Sequence, residues 1–107
     1  MVYELREYYI APGKGPALHR RFREHTLGLF ARHGIQVVGF WEVTIGDGPK
    51  LVYLCQYPDL GHRERAWKAF GGDPEWQAAK AESERDGALT VRIVSSILTP
   101  TAYSPMQ

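Results

Sequence analysis

His25 stands in an apolar stripe with Leu18, Phe22 and Leu29, at spacings of four, three and four residues. That spacing stacks the four side chains on one face of a helix. An imidazole among apolar neighbours must find a hydrogen-bond partner or border a cavity. Its ordinary pKa also suits proton transfer near neutrality. His25 is therefore the candidate catalytic residue, with a satisfied core histidine as the alternative. His33 lies two helical turns further on, too far to share a metal ion with it, and reads as a C-terminal helix cation. His19 and His62 read as solvent-facing. The single cysteine, Cys55, excludes an internal disulfide and any multi-cysteine metal site. In a strand, without an activating neighbour in sequence, it reads as a small core residue. No metal and no other cofactor is expected.

A second set carries charge. Glu4, Arg6, Glu42 and Arg92 alternate with apolar residues in three strand-like segments. Charges on a covered sheet face must pair. The pairing reads either as a clamp on a polar ligand or as an ion-pair network at a subunit interface. Aromatic residues form a third set. Tyr9, Trp41, Tyr53, Tyr57, Trp67 and Trp76 suit the walls of a cavity for a flat apolar ligand, or ordinary core packing. Arg6, Trp41, Tyr53, Tyr9 and Trp67 are the expected ligand-binding residues.

The elements that must position these residues are legible from periodicity and punctuation. Val2 to Ala11 alternate like a strand, closed by Pro12-Gly13-Lys14-Gly15-Pro16. A helix follows from Ala17 to His33, stopped by Gly34. Ile35 to Ile45 read as a strand, Gly46-Asp47-Gly48-Pro49 as a hairpin loop, and Leu51 to Tyr57 as the returning strand. Leu60 to Phe70 are helical. Asp73-Pro74-Glu75 restarts the helix after Gly71-Gly72, with Asp73 as N-cap and Pro74 at the first helical position. Ala88 to Leu98 form the last strand, and residues 99–107 an extended tail.

Strand, helix, strand, strand, helix, strand is the order of a ferredoxin-like α+β domain: a four-stranded antiparallel sheet with two helices on one face. Residues 1–107 make one such domain. Alternation assigns Tyr3, Leu5, Glu7 and Tyr9, with Val37, Trp41, Val43 and Ile45 and with Leu89, Val91 and Ile93, to the helix side. Glu4, Arg6, Tyr8 and Ile10 then fall on the other side with Val38, Phe40, Glu42 and Arg92. The hairpin register leaves the face of Tyr53 and Cys55 open. An apolar sheet face bearing Ile10, Val38 and Phe40 is rare on a monomer, so a homodimer through that face is expected.

Composition excludes several function classes. Thirteen Lys and Arg against twelve Asp and Glu give a net charge of +1, which makes neither nucleic acid nor an anionic membrane an expected partner. The basic run His19-Arg20-Arg21-Phe22-Arg23 reads as a solvated helix face balanced by Glu24. There is no Gly-rich phosphate loop after a strand and no GxSxG elbow. No stretch approaches the ~20 apolar residues of a membrane span. No secretory signal is visible, so the expected compartment is the cytoplasm.

Six motifs in order resemble the NIPSNAP family over nearly the whole chain. They are Tyr3-Glu4-Leu5-Arg6 with Tyr8 and Pro12-Gly13-Lys14; Glu24-His25; Gly39-Phe40-Trp41 with Ile45-Gly46; Tyr57 before a loop; Asp73-Pro74-Glu75-Trp76; and Ile97-Leu98-Thr99-Pro100-Thr101 with Ser104-Pro105. The resemblance implies a dimeric α+β barrel, in which two ferredoxin-like sheets pack face to face. That superfamily includes cofactor-free monooxygenases, haem-degrading enzymes and simple ligand binders. The third strand departs from the family pattern, carrying Tyr53 and Cys55 in place of His and Trp. The expected function is binding of a small organic molecule. It extends to cofactor-independent acid–base or oxygen chemistry on that molecule; the alternative is a non-catalytic ligand-binding or protein-interaction module.

Overall fold

The protein is described over residues 1–107 by a computed structural model. β1, Val2–Ile10, is built from Tyr, Val and Ile, which suit a pleated surface. It ends at a turn where Gly13 takes φ +75°. One helical rod follows in three segments: α1, Gly15–Arg21; a π turn, Phe22–Thr26; and α2, Leu27–Arg32. Gly34, at φ +76°, turns the chain out of α2. β2, Gln36–Glu42, and β3, Lys50–Tyr57, form the hairpin. α3, Leu60–Gly71, is capped by Asp59, which accepts from the His62 amide at 2.8 Å. α4, Pro74–Ser83, is capped as expected by Asp73, which accepts from the Glu75 amide at 2.9 Å. β4, Thr90–Leu98, completes the domain.

The strands pair antiparallel in the order β2-β3-β1-β4. This is the ferredoxin-like βαββαβ arrangement. β2 stops at Glu42 rather than Ile45, which is almost fully exposed in the hairpin loop. The core fills the space between sheet and helices, with Leu18, Phe22, Leu29, Phe30 and Phe70 from the helices over Tyr8, Leu51, Tyr53, Cys55 and Tyr57 from the strands. No helix is long and apolar enough to cross a membrane.

Two expectations about faces are corrected. In β1 the register pairs Glu4 with Cys55, Arg6 with Tyr53 and Tyr8 with Leu51. All of these lie on the helix side, so Tyr3, Leu5, Glu7 and Tyr9 take the open side. Alternation separates the two faces of a strand but does not say which is covered. The charges of Glu4 and Arg6 are compatible with burial because they pair with each other and α3 brings Arg63 to Glu4. In β2 a bulge between Val37 and Gly39 shifts the parity. Phe40 therefore joins the core with Val37, and Trp41 turns away, half exposed. Its indole lies flat on Gly39, where an added Cβ would sit 2.9 Å from the ring.

The π turn makes the third correction. The Leu27 amide bonds to the Phe22 carbonyl, an i→i−5 contact that inserts one residue into the helical repeat. Thr26, not His25, then follows Phe22 inward, and its hydroxyl donates to the Arg21 carbonyl at 3.3 Å. His25 is exposed. On the open face the tail folds back near Leu54 and Leu98, where Tyr3 donates to the Gln107 carbonyl at 2.8 Å.

Candidate functional site

Glu4 is fully buried, with 0% of its surface exposed. An isolated carboxylate in that position would be driven to neutrality. Five donors from four elements prevent it. Arg63 of α3 donates from Nε to Oε1 at 3.2 Å and from Nη2 to Oε2 at 2.8 Å. Arg6 of β1 donates from Nη1 to Oε2 at 3.1 Å, and Tyr57 of β3 donates to Oε1 at 2.8 Å. The hydroxyl of Ser95 on β4 also donates to Oε2. Burial pushes the carboxyl up, but the bonds from Arg63, Ser95 and Tyr57 and the charge of Arg6 prevail and hold it at about 2.

Arg6 extends this network. Its Nε donates to the Tyr53 hydroxyl at 2.8 Å and its Nη2 to the Tyr8 hydroxyl at 3.3 Å. The two phenols are themselves bonded at 2.8 Å. The guanidinium carbon lies 4.3 Å from the Trp67 ring centroid, a cation–π contact. Burial opposes the Arg6 charge, yet Tyr53, Tyr8 and Glu4 more than restore it, so the group is held firmly cationic. The same burial, with Tyr8 beside it, pushes the Tyr53 phenol well up, so it stays protonated at neutral pH. Trp67 Nε1 donates to the Tyr57 hydroxyl at 2.7 Å, which locks the indole against the sheet. Three of the five guanidinium N–H groups of Arg6 are used in these bonds, leaving one on each terminal nitrogen.

One side of the cluster is open. The register sets Arg6 beside Ser95, Glu4 beside Ile97 and Tyr8 beside Ile93. All three β4 residues are exposed, because the helices lie over the other strands and leave this edge uncovered. The result is an apolar shelf, interrupted by one hydroxyl, next to a preorganised guanidinium and an indole. Arg6 and Arg63 bring two positive charges to the single negative charge of Glu4. Glu64 pairs with Arg63 only from the exposed side, at 2.6 Å. An oxygen that carries or develops negative charge fits that imbalance. Cys55, beside Glu4 in the register, is pushed up to about 11 by burial and is chemically quiet. No three His, Cys, Asp or Glu side chains converge as a metal set would require.

Of the residues expected to bind ligand, Arg6, Tyr53 and Trp67 are brought together. Trp41 and Tyr9 are not. Tyr9 lies on the open face, donates to Asp47 at 2.7 Å and has the cations of Lys50 and Arg92 over its ring. His25 lies outside the cluster, in a surface cleft between the first helix and α4 with Arg20 and Glu82. The charged set also divides, since Glu42 contacts His19 and Arg92 covers Tyr9. The sequence reading missed Arg63, Tyr8 and Ser95. Tyr8 shares the alternation of Glu4 and Arg6, but nothing local marks Arg63 among the charges of α3.

The NIPSNAP family model matches residues 3–105. The chain belongs to the NIPSNAP family. Solved structures of similar proteins carry the same fold. A NIPSNAP domain protein from Burkholderia xenovorans is 27% identical, with 98% of this chain and 99% of that one covered and a TM-score of 0.85. A NIPSNAP family protein from Agrobacterium tumefaciens is 24% identical, covers 99% and 98%, and has a TM-score of 0.88. SnoaB from Streptomyces nogalater, a cofactor-independent oxygenase, is 15% identical over 97% and 96%, with a TM-score of 0.62. At that identity the likeness to SnoaB is one of fold. Among curated proteins none matches the chain.

Proposed function

We propose that this NIPSNAP protein binds a small organic molecule on the β4 shelf, with an acidic or enolisable oxygen of the ligand on Arg6 and its apolar body against Trp67, Ile93 and Ile97. One observation carries this reading. Arg6 is a buried cation, fixed on an indole by Glu4, Tyr8 and Tyr53, and it keeps unused N–H groups beside an uncovered apolar strip. A core built only for stability seldom retains such a charge. Glu4, Tyr8, Tyr53, Tyr57 and Arg63 are positioning residues, since they act through Arg6 and Trp67. In an enzyme without metal or flavin, Arg6 would stabilise the oxyanion of an acidic ligand that gives its proton to solvent water at the open side of the shelf. Reaction of that anion with oxygen is the chemistry the fold likeness to SnoaB suggests. The alternative is a non-catalytic binding module, which needs no proton transfer.

The working unit in this proposal is a homodimer formed through the open sheet face, as in a dimeric α+β barrel. Leu5, Val52, Leu54 and Val94 form the middle of that face, with Trp41 and Leu98 exposed at its margins. These apolar side chains, interrupted by Glu7 in its ion pair with Lys50, favour a covering partner. The proposed compartment is the cytoplasm.

Titration of tryptophan fluorescence with a panel of aromatic carboxylates and enolisable diketones tests the binding. Saturable quenching that is lost in Arg6→Lys and weakened in Trp67→Phe supports it. Quenching unchanged in both variants overturns it. Oxygen uptake and product analysis on any ligand that binds then separate enzyme from binding module.

A further inference from the structure

A groove of about 250 Å³ lies between the first helix and the edge strand β2, on the other side of Tyr8 and Tyr53 from Arg6. Phe22, Phe40 and Leu51 make its floor, Leu27 and Trp41 its sides. The π turn borders it: Leu27, whose amide closes that turn on the Phe22 carbonyl, stands 42% exposed at the side of the groove. The floor is rigid. The Phe22 and Phe40 rings meet edge-on at 5.4 Å, and each also packs on the fully buried Tyr53, at 5.6 and 5.0 Å. The rim is polar, with His19, Arg23 and Glu42. His19 Nε2 lies 2.5 Å from Glu42 Oε1, a contact that bridges α1 and β2 across the mouth.

We infer that this groove is a second small-molecule site, built for a single-ring phenol. Size restricts the occupant: sites for larger ligands run from roughly 300 to 1,000 Å³. An aromatic floor favours an aromatic ring, which gains edge-on or offset contacts beyond its area. The rim selects the substituent. A neutral hydroxyl both donates and accepts, matching the Glu42 carboxylate and the Arg23 guanidinium, which makes no hydrogen bond or ion pair within the chain. A ligand carboxylate would meet Glu42 with like charge. The site does not rest on the Arg6 reading.

Amide NMR titration of the whole protein with phenol, benzoate and cyclohexanol tests the assignment. Phenol shifts the amides around Phe22, Leu27 and Phe40 saturably, and the other two probes bind at least about tenfold more weakly, a difference of 1.4 kcal/mol. Leu27→Trp fills the groove from its exposed side and abolishes those shifts. Leu27→Ala, which only widens it, retains them, and Arg6→Lys leaves them unchanged. Phenol shifts that map elsewhere, that survive Leu27→Trp, or that cyclohexanol or benzoate reproduces at equal affinity overturn the inference.

Discussion

Glu4→Gln removes one negative charge from the centre of the buried network while keeping its shape. In the folded protein the carboxyl is held at about 2 against an ordinary 4.5, which corresponds to roughly 3 kcal/mol. A lowered folded-state pKa stabilises the protein above the unfolded value and loses that stability as pH falls through the folded one. The contribution is therefore whole at pH 7, begins to fade below pH 5, and is largely gone by pH 2. At pH 7 Glu4→Gln should destabilise the protein by about 3 kcal/mol, since Arg6 and Arg63 lose their shared counter-charge. For a domain of this size that lowers Tm by on the order of 10–20 °C. At pH 3 the gap between the two proteins should fall to less than half its pH 7 value. There Glu4 is already protonated in the unfolded chain while the native carboxylate is still mostly ionised, so folding must release its proton. Urea unfolding at both pH values, at one fixed protein concentration, measures the gap. An equal gap at pH 7 and pH 3, or none at pH 7, refutes the claim that the Glu4 charge holds the network together.

Leu54→Glu places a charge in the middle of the open face and should yield a monomer in sedimentation velocity, whereas the native protein should sediment as a dimer if the proposal holds; two identical monomer profiles would remove the dimer proposal. Gly39→Ala drives a methyl group into the Trp41 ring, so it should displace the indole and change its fluorescence maximum, and an unchanged spectrum would contradict the flat packing. Asp73→Ala removes the α4 cap and its contact with His33 at 2.7 Å, and because His33, the Glu75 amide and Arg32 hold that carboxyl below its usual range, the loss in Tm should be larger at pH 7 than at pH 3. His25→Leu should move stability by less than about 0.5 kcal/mol and leave binding at Arg6 intact, as expected for an exposed side chain; lost binding would return His25 to the site.

Element order, the caps at Asp73 and Gly34, the hairpin and the ferredoxin-like topology are written locally in the sequence. Each depends on neighbours within one or two turns, where periodicity and the special residues Gly, Pro and Asp act directly on the backbone. Arg6, Tyr53 and Trp67 were also visible as candidates, being a strand cation and large aromatics in so small a domain. Their assembly was not visible, because it depends on register and on a partner far away in the chain. Glu4 reads as a paired charge on the sheet face away from the helices until Arg63, 59 residues later, is carried over it by α3. His25 reads as an inward residue until one i→i−5 bond inserts Thr26 in its place. Trp41 reads as core until a bulge at Val38 reverses its side of the sheet. A shift of one residue costs little backbone energy but exchanges one face for the other. Only the packing of all elements together decides which shift prevails, and in this protein that packing decides where the site lies.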